Sequence, residues 1–172
     1  MLTLMLLRRL SAPAAAFCLS LLFSGQVHAQ SWQKVEPAGA GFSVYLPGPA
    51  EESENPVNTV AGPVTMHLYS ATIGTQAYMT SYADSPVPLD AERALAGARD
   101  NAVGRGHLIS ETRITTNGVR GISFSAARDG LHFVAEVWVS GNRIFQALYL
   151  TQEEGPLPVT AQRFFNSFHF VR

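Results

Sequence analysis

The chain has 172 residues, 47% of them hydrophobic and 15% charged, and its 12 basic and 13 acidic side chains leave a formal net charge of -1. That balance excludes the basic stripe of a nucleic-acid binder, and the length suits one domain with one core.

Residues 1–29 have the order of a cleavable secretory signal peptide: the basic pair Arg8 and Arg9, an apolar run over residues 10–23, then small Val27 and Ala29 before a cut between Ala29 and Gln30. The apolar run is shorter than the roughly 20 residues a spanning helix needs. Bulky Phe17 beside Cys18 disfavours a lipid anchor, and Ser11 and Ala12 after the arginine pair disfavour twin-arginine export. The expected mature domain, residues 30–172, is therefore exported, periplasmic or secreted, with no stable membrane insertion. Cleavage removes the only cysteine, Cys18, so neither a disulfide nor a thiol nucleophile is expected in that domain.

Residues 30–41 read as a lead-in, and residues 42–46 as a strand closed by Pro47, Gly48 and Pro49. A hairpin over residues 51–72 turns at Ala61, Gly62 and Pro63. Glu52, Glu54 and Pro56 mark its first arm as an edge strand, where charge and proline discourage strand addition. Residues 64–72 and 77–83 pair around Gly74. A helix then runs from its N-cap Asp90 to Gly104, with Ala91, Leu95, Ala98 and Ala102 on the core face.

Asn117/Gly118, Asp129/Gly130 and Gly141/Asn142 divide residues 107–151 into four strands, because such pairs accept the positive φ that tight hairpins require. Two-residue turns at the second and third set Ile122 opposite Val137, Phe124 opposite Ala135, Ala126 opposite Phe133, Val139 opposite Ile144 and Ala135 opposite Leu148. At Asn117/Gly118 a two-residue turn would set Glu111 against Phe124. A three-residue loop with a bulge is preferred there, placing Leu108, Thr112 and Ile114 on that face. The other face carries Val134, Trp138, Phe145 and Tyr149, too apolar to be left wet. Residues 158–168 read as a short helix burying Ala161, Phe164, Phe165 and Phe168, followed by an extended end. A sheet apolar on both faces with two helices implies an α+β fold: six or seven mostly antiparallel strands with helices packed on both faces, an α/β/α sandwich.

The motifs at residues 42–49 (FSVYLPGP), Gly62/Pro63 with Tyr69, 78–84 (YMTSYAD), 118–121 (GVRG), 141–145 (GNRIF) and 163–170 (RFFNSFHF) resemble small exported bacterial proteins of the PsbP-like and Ran-binding Mog-type fold. The resemblance spans almost the whole mature chain and rests on turn glycines and core aromatics. It implies accessory, assembly or ligand-binding roles and transfers no catalytic residue. A photosynthetic role is not implied.

No nucleophile elbow, phosphate loop, dinucleotide fingerprint or zincin motif occurs. His67, His107, His132 and His169 are scattered singly, so no metal site and no cofactor are expected. Ser123, Asp129 and His132 contain the parts of a triad without its geometry. The carboxylate that stands out is Glu136, placed by alternation among apolar neighbours where burial would raise its pKa. The expected function is a non-enzymatic accessory or interaction protein of the bacterial envelope, a monomer with an unidentified envelope partner. The alternative is a carrier holding a small apolar ligand between sheet and helix, at Val134, Glu136, Trp138, Phe145 and Tyr149.

Overall fold

The computed structural model describes residues 31–59 and 62–171; the expected signal peptide and its cut between Ala29 and Gln30 lie outside them. Seven strands form one antiparallel sheet: β3 (Glu51–Thr59), β4 (Gly62–Ile73), β5 (Gln76–Asp84), β6 (His107–Thr116), β7 (Val119–Arg128), β8 (Leu131–Ser140) and β9 (Arg143–Thr151). Their order is β3-β4-β5-β9-β8-β7-β6, so chain neighbours pair by hairpin and β9 returns to close against β5. A second sheet joins β1 (Gln33–Val35), β2 (Phe42–Leu46) and β10 (His169–Phe170) in the order β1-β2-β10. The helices are α1 (Ala91–Val103) and α2 (Val159–Asn166).

The expected helix layers on both faces are not found. One face of the large sheet is covered by α1, whose Leu95 packs with Ile122, Phe124, Ala126, Phe133, Ala135, Val137 and Val139. The other is covered by the three-stranded sheet, with α2 beside it. Two facts explain the difference. Three-residue β1 is too short to show an alternation, and β2 pairs with β1 and β10 instead of extending the large sheet.

Asp90 caps α1, its carboxylate accepting the Arg93 N–H at 3.0 Å, and Gly104 ends the helix at φ 54°. Ala91 is exposed, and Ala94 takes its place on the buried face with Ala98 and Ala102. Strand β3 is an edge, exposed throughout. Its acids engage their own sheet: Glu54 meets His67 at 3.1 Å, and Glu52 hydrogen-bonds Tyr69. That suits an edge guarded against strand addition.

The registers around Asp129/Gly130 and Gly141/Asn142 are those expected from their turns. At Asn117/Gly118 the loop has two residues, with φ of 48° and 85°, and Glu111 does face Phe124. The irregularity lies instead between Leu108 and Ser110. Glu111 is tolerated on the helix side because Arg99 of α1 reaches it at 2.6 Å; Arg113 similarly reaches Glu92 of α1. Leu108 does fall on the α1 face, opposite Ala126, but Ile114 belongs to the other core.

Gly121 serves close packing. A β-carbon there would collide with the Val137 carbonyl oxygen and lie 2.6 Å from Cδ1 of Trp138. Gly121→Ala is expected to destabilise the fold by about 1–2 kcal/mol, since a tight core must shift to admit a methyl group. The midpoint of urea unfolding measures it; an unchanged midpoint would contradict this packing.

Candidate functional site

Alternation along β8 and β9 turns Val134, Glu136, Trp138, Phe145, Ala147 and Tyr149 toward the three-stranded sheet. Most of that surface is filled by the protein's own rings. Phe168 stacks between Trp138, at 4.3 Å, and Phe42, at 5.3 Å, while Phe170 meets the edges of Trp138 and Phe145. Tyr149 packs on Tyr78, which meets Phe164 of α2, donates its hydroxyl to Gln76 Oε1 at 2.8 Å and accepts from the Thr160 hydroxyl at 2.9 Å. Trp138, Phe145 and Tyr149 are consequently buried. The indole N–H of Trp138 donates to the Thr116 hydroxyl at 3.2 Å.

The five residues singled out from the sequence are therefore not gathered in one chamber. Val134 and Tyr149 reach a half-open recess of about 490 Å³ bounded by Ile109 and the segment after β9. Glu136 opens into a separate cleft of about 330 Å³, where the β6–β7 turn meets the end of α2 and the start of β10. Its walls are Ile114, Thr115, Thr116, Phe165, Phe168 and His169.

Three segments build this cleft. The type I′ geometry at Asn117/Gly118 brings Thr116 over the sheet. Asn117 then accepts the backbone N–H of Phe170 through Oδ1 at 3.2 Å, fastening β10 to the turn. At the end of α2, Ser167 accepts the Tyr45 N–H at 2.9 Å and donates to the Phe164 carbonyl at 2.7 Å, which fixes where Phe165 and Phe168 fall. Alternation could reveal Glu136. It could not reveal Thr116, Phe165 or His169 as neighbours, because they come from elements whose meeting depends on tertiary pairing.

Electrostatically the cleft is dominated by Glu136. Its cross-strand neighbours are Ser123 and Ala147, neither charged, and no hydrogen bond or ion pair engages its carboxyl among the described residues. Burial pushes its pKa up to about 7, because taking the charged form out of water is unfavourable. The other prominent charged cluster is satisfied: Arg143 forms a bidentate pair with Asp84 at 2.6 Å and donates to the carbonyls of Gly39 and Ala40 at 2.6 and 2.8 Å. That arginine holds the Asp84 carboxyl below its usual range and ties the β1–β2 connection to the large sheet.

Among the described residues, the parts of a triad noted in the sequence are not gathered around Glu136. Ser123 lies within β7, whereas Asp129 and His132 sit at the β7–β8 turn. Among the described residues no cluster of three metal-binding side chains occurs, and no helix is long and apolar enough to cross a membrane.

No family model matches this chain. No curated protein matches it either. Among solved structures it is similar to cyanobacterial PsbP (CyanoP) from Synechocystis sp. PCC 6803, at 15% identity and a TM-score of 0.55 over 85% of this chain and 96% of that one. A protein from Bacteroides thetaiotaomicron VPI-5482 aligns at 16% identity and a TM-score of 0.47, over 83% of this chain and 49% of that one, so this chain spans about half its length. The cyanobacterial match, over nearly all of both chains, shows that this chain has a PsbP-like fold.

Proposed function

We propose that the chain is an exported, non-enzymatic accessory protein of the bacterial envelope that works by binding a partner polypeptide at the Glu136 cleft. The observation carrying this reading is the Glu136 side chain itself: half-buried, without a hydrogen bond or ion pair among the described residues, and lining an open cleft. Unpaired buried carboxyls are destabilising, which makes such a group a candidate for recognition. The PsbP-like fold supports the non-catalytic side of the reading, since the sequence resemblance implies accessory roles. The carrier alternative draws less support, because the rings of Trp138, Phe145 and Tyr149 are already covered by the protein's own aromatic side chains.

The test is a photo-crosslinking residue placed at exposed Thr115 on the cleft rim, used in living cells, with Asn55 on the far edge strand as the comparison site. A discrete adduct expected at Thr115 and not at Asn55, and lost in Glu136→Gln, supports the proposal. Adducts independent of position or of Glu136, or turnover of a substrate by the purified protein, would overturn it.

A further inference from the structure

We propose that the group received by the Glu136 cleft is a basic side chain, the alkylammonium of a lysine or the guanidinium of an arginine, carried by the partner polypeptide. This rests on the cleft being the docking site and goes further by naming the chemistry that enters it.

The first argument is charge. Among the described residues, Glu136 and His169 are the only titratable side chains lining the cleft, and Glu136 is its only acid. The strand neighbours of Glu136 add no charge: Ser123 and Ala147 flank it, with Thr112 beyond Ser123. Four arginines of the described residues are committed elsewhere, Arg99 to Glu111, Arg113 to Glu92, Arg128 to the Ala102 carbonyl and Arg143 to Asp84, and none of the described residues forms an ion pair with Glu136. With no such pair among the described residues, the cation that complements Glu136 is assigned to another molecule.

The second argument is shape. Glu136 is half-buried at this cleft, and the other side chains lining it include Ile114, Phe165 and Phe168. Phe168 has both ring faces covered, by Trp138 and Phe42, so it offers the cleft an apolar edge. Lysine and arginine suit such a site because an apolar stem carries their charge, and the stem can lie on hydrocarbon while the head reaches the acid. The Thr116 oxygen already accepts the Trp138 N–H and retains a lone pair for a second donor. An acid or a purely apolar group would gain nothing from Glu136.

The third argument is proton balance. With a carboxyl that is half protonated near pH 7, entry of a cation converts the neutral acid to carboxylate and releases its proton to solvent. A neutral ligand accepting a hydrogen bond from the protonated acid would release none. His169 also lines the cleft, so its contribution has to be separated from that of Glu136.

The experiment is an NMR titration of the full protein with N-acetyl-lysine amide and N-acetyl-arginine amide, with the neutral isostere N-acetyl-norleucine amide as control. It follows the Thr116 amide and the side-chain carboxyl carbon of Glu136. Binding of either basic amide is expected to weaken about tenfold from pH 8 to pH 6, as the acid must first lose its proton. The Glu136 titration midpoint should fall below about 7 at saturation. Glu136→Gln should lose at least tenfold in affinity at pH 8, while His169→Gln keeps most of the pH dependence.

Norleucine amide binding as well as the basic amides, binding unchanged in Glu136→Gln, or an unmoved Glu136 midpoint would each overturn the proposal. Spermidine outcompeting both amides by far would move the source to a free polyamine and overturn the polypeptide assignment. The two readings fail separately. Thr115 adducts that need Glu136 while no basic amide binds would refute the cation and keep the docking site. Amide binding without such adducts would keep the cation site and refute the docking role.

Discussion

Trp138→Ala is expected to destabilise the protein by about 3–5 kcal/mol, the range for removing a large buried aromatic, and that is a large fraction of a typical domain's stability. Trp138 has no exposed surface. Its ring is the point where both sheets meet, stacked on Phe168 and met edge-on by Phe170, while its N–H holds Thr116 at the rim of the cleft. The cavity left by alanine would be slow to close. Opposite Trp138 stands Gly121, which has no side chain to swing inward. Phe168 is held by its stack on Phe42, and β10 is held by pairing with β2 and by Asn117. Equilibrium urea unfolding measures the loss, with Trp138→Phe expected to recover more than half of it by keeping a ring in the stack. A cost of Trp138→Ala below about 1.5 kcal/mol would mean that Phe168 and the small sheet collapse onto Gly121.

The hairpin arithmetic was legible in the sequence because turn chemistry there is local. Asp129 and Gly130, at φ of 54° and 76°, adopt the left-handed conformations their side chains suggest, and every cross-strand pair of the β7–β8 hairpin follows. The same logic at Asn117/Gly118 favoured the wrong loop, since alternation penalised a carboxylate beside Phe124. The compensation, Arg99 reaching Glu111 from α1, is tertiary and leaves no periodic trace. The covering layer was misread for a similar reason. Two helices and two apolar faces suggested one helix per face, but α2 has only eight residues, and the missing cover is assembled from β1, β2 and β10, separated by most of the chain. Glu136 was legible as a misplaced charge on an apolar face. Its distance from Val134's recess and its neighbours Thr116, Phe165 and His169 were not, because they depend on how β10 docks against the β6–β7 turn.

Glu136→Gln is expected to stabilise the ligand-free protein above pH 7 and to leave its stability nearly unchanged below about pH 4.5. In the unfolded chain the carboxyl titrates near 4.5, whereas burial holds it near 7 in the folded protein. Between those values the folded state binds the extra proton, so stability falls as pH rises through the window and the loss is complete above the folded value. At about 1.4 kcal/mol per pKa unit the full loss would be about 3.5 kcal/mol, and screening at the part of the side chain still facing water reduces it to about 2–3 kcal/mol. Asp84 runs the opposite way, its carboxyl held low by Arg143 so that acid removes stability, but it is common to both proteins and drops out of their difference. Urea unfolding of both proteins from pH 4 to pH 8 checks this. Parallel curves would show that Glu136 is not desolvated as described, and a less stable glutamine variant at pH 8 would show that the carboxylate has a partner inside the fold. Adding N-acetyl-lysine amide at pH 8 should then raise the stability of the wild type and not of the variant, because only the carboxylate binds it. Loss of stability at the pH where Glu136 becomes charged, together with its recovery when a cation is added, would support recognition rather than packing as the reason for a glutamate at this position.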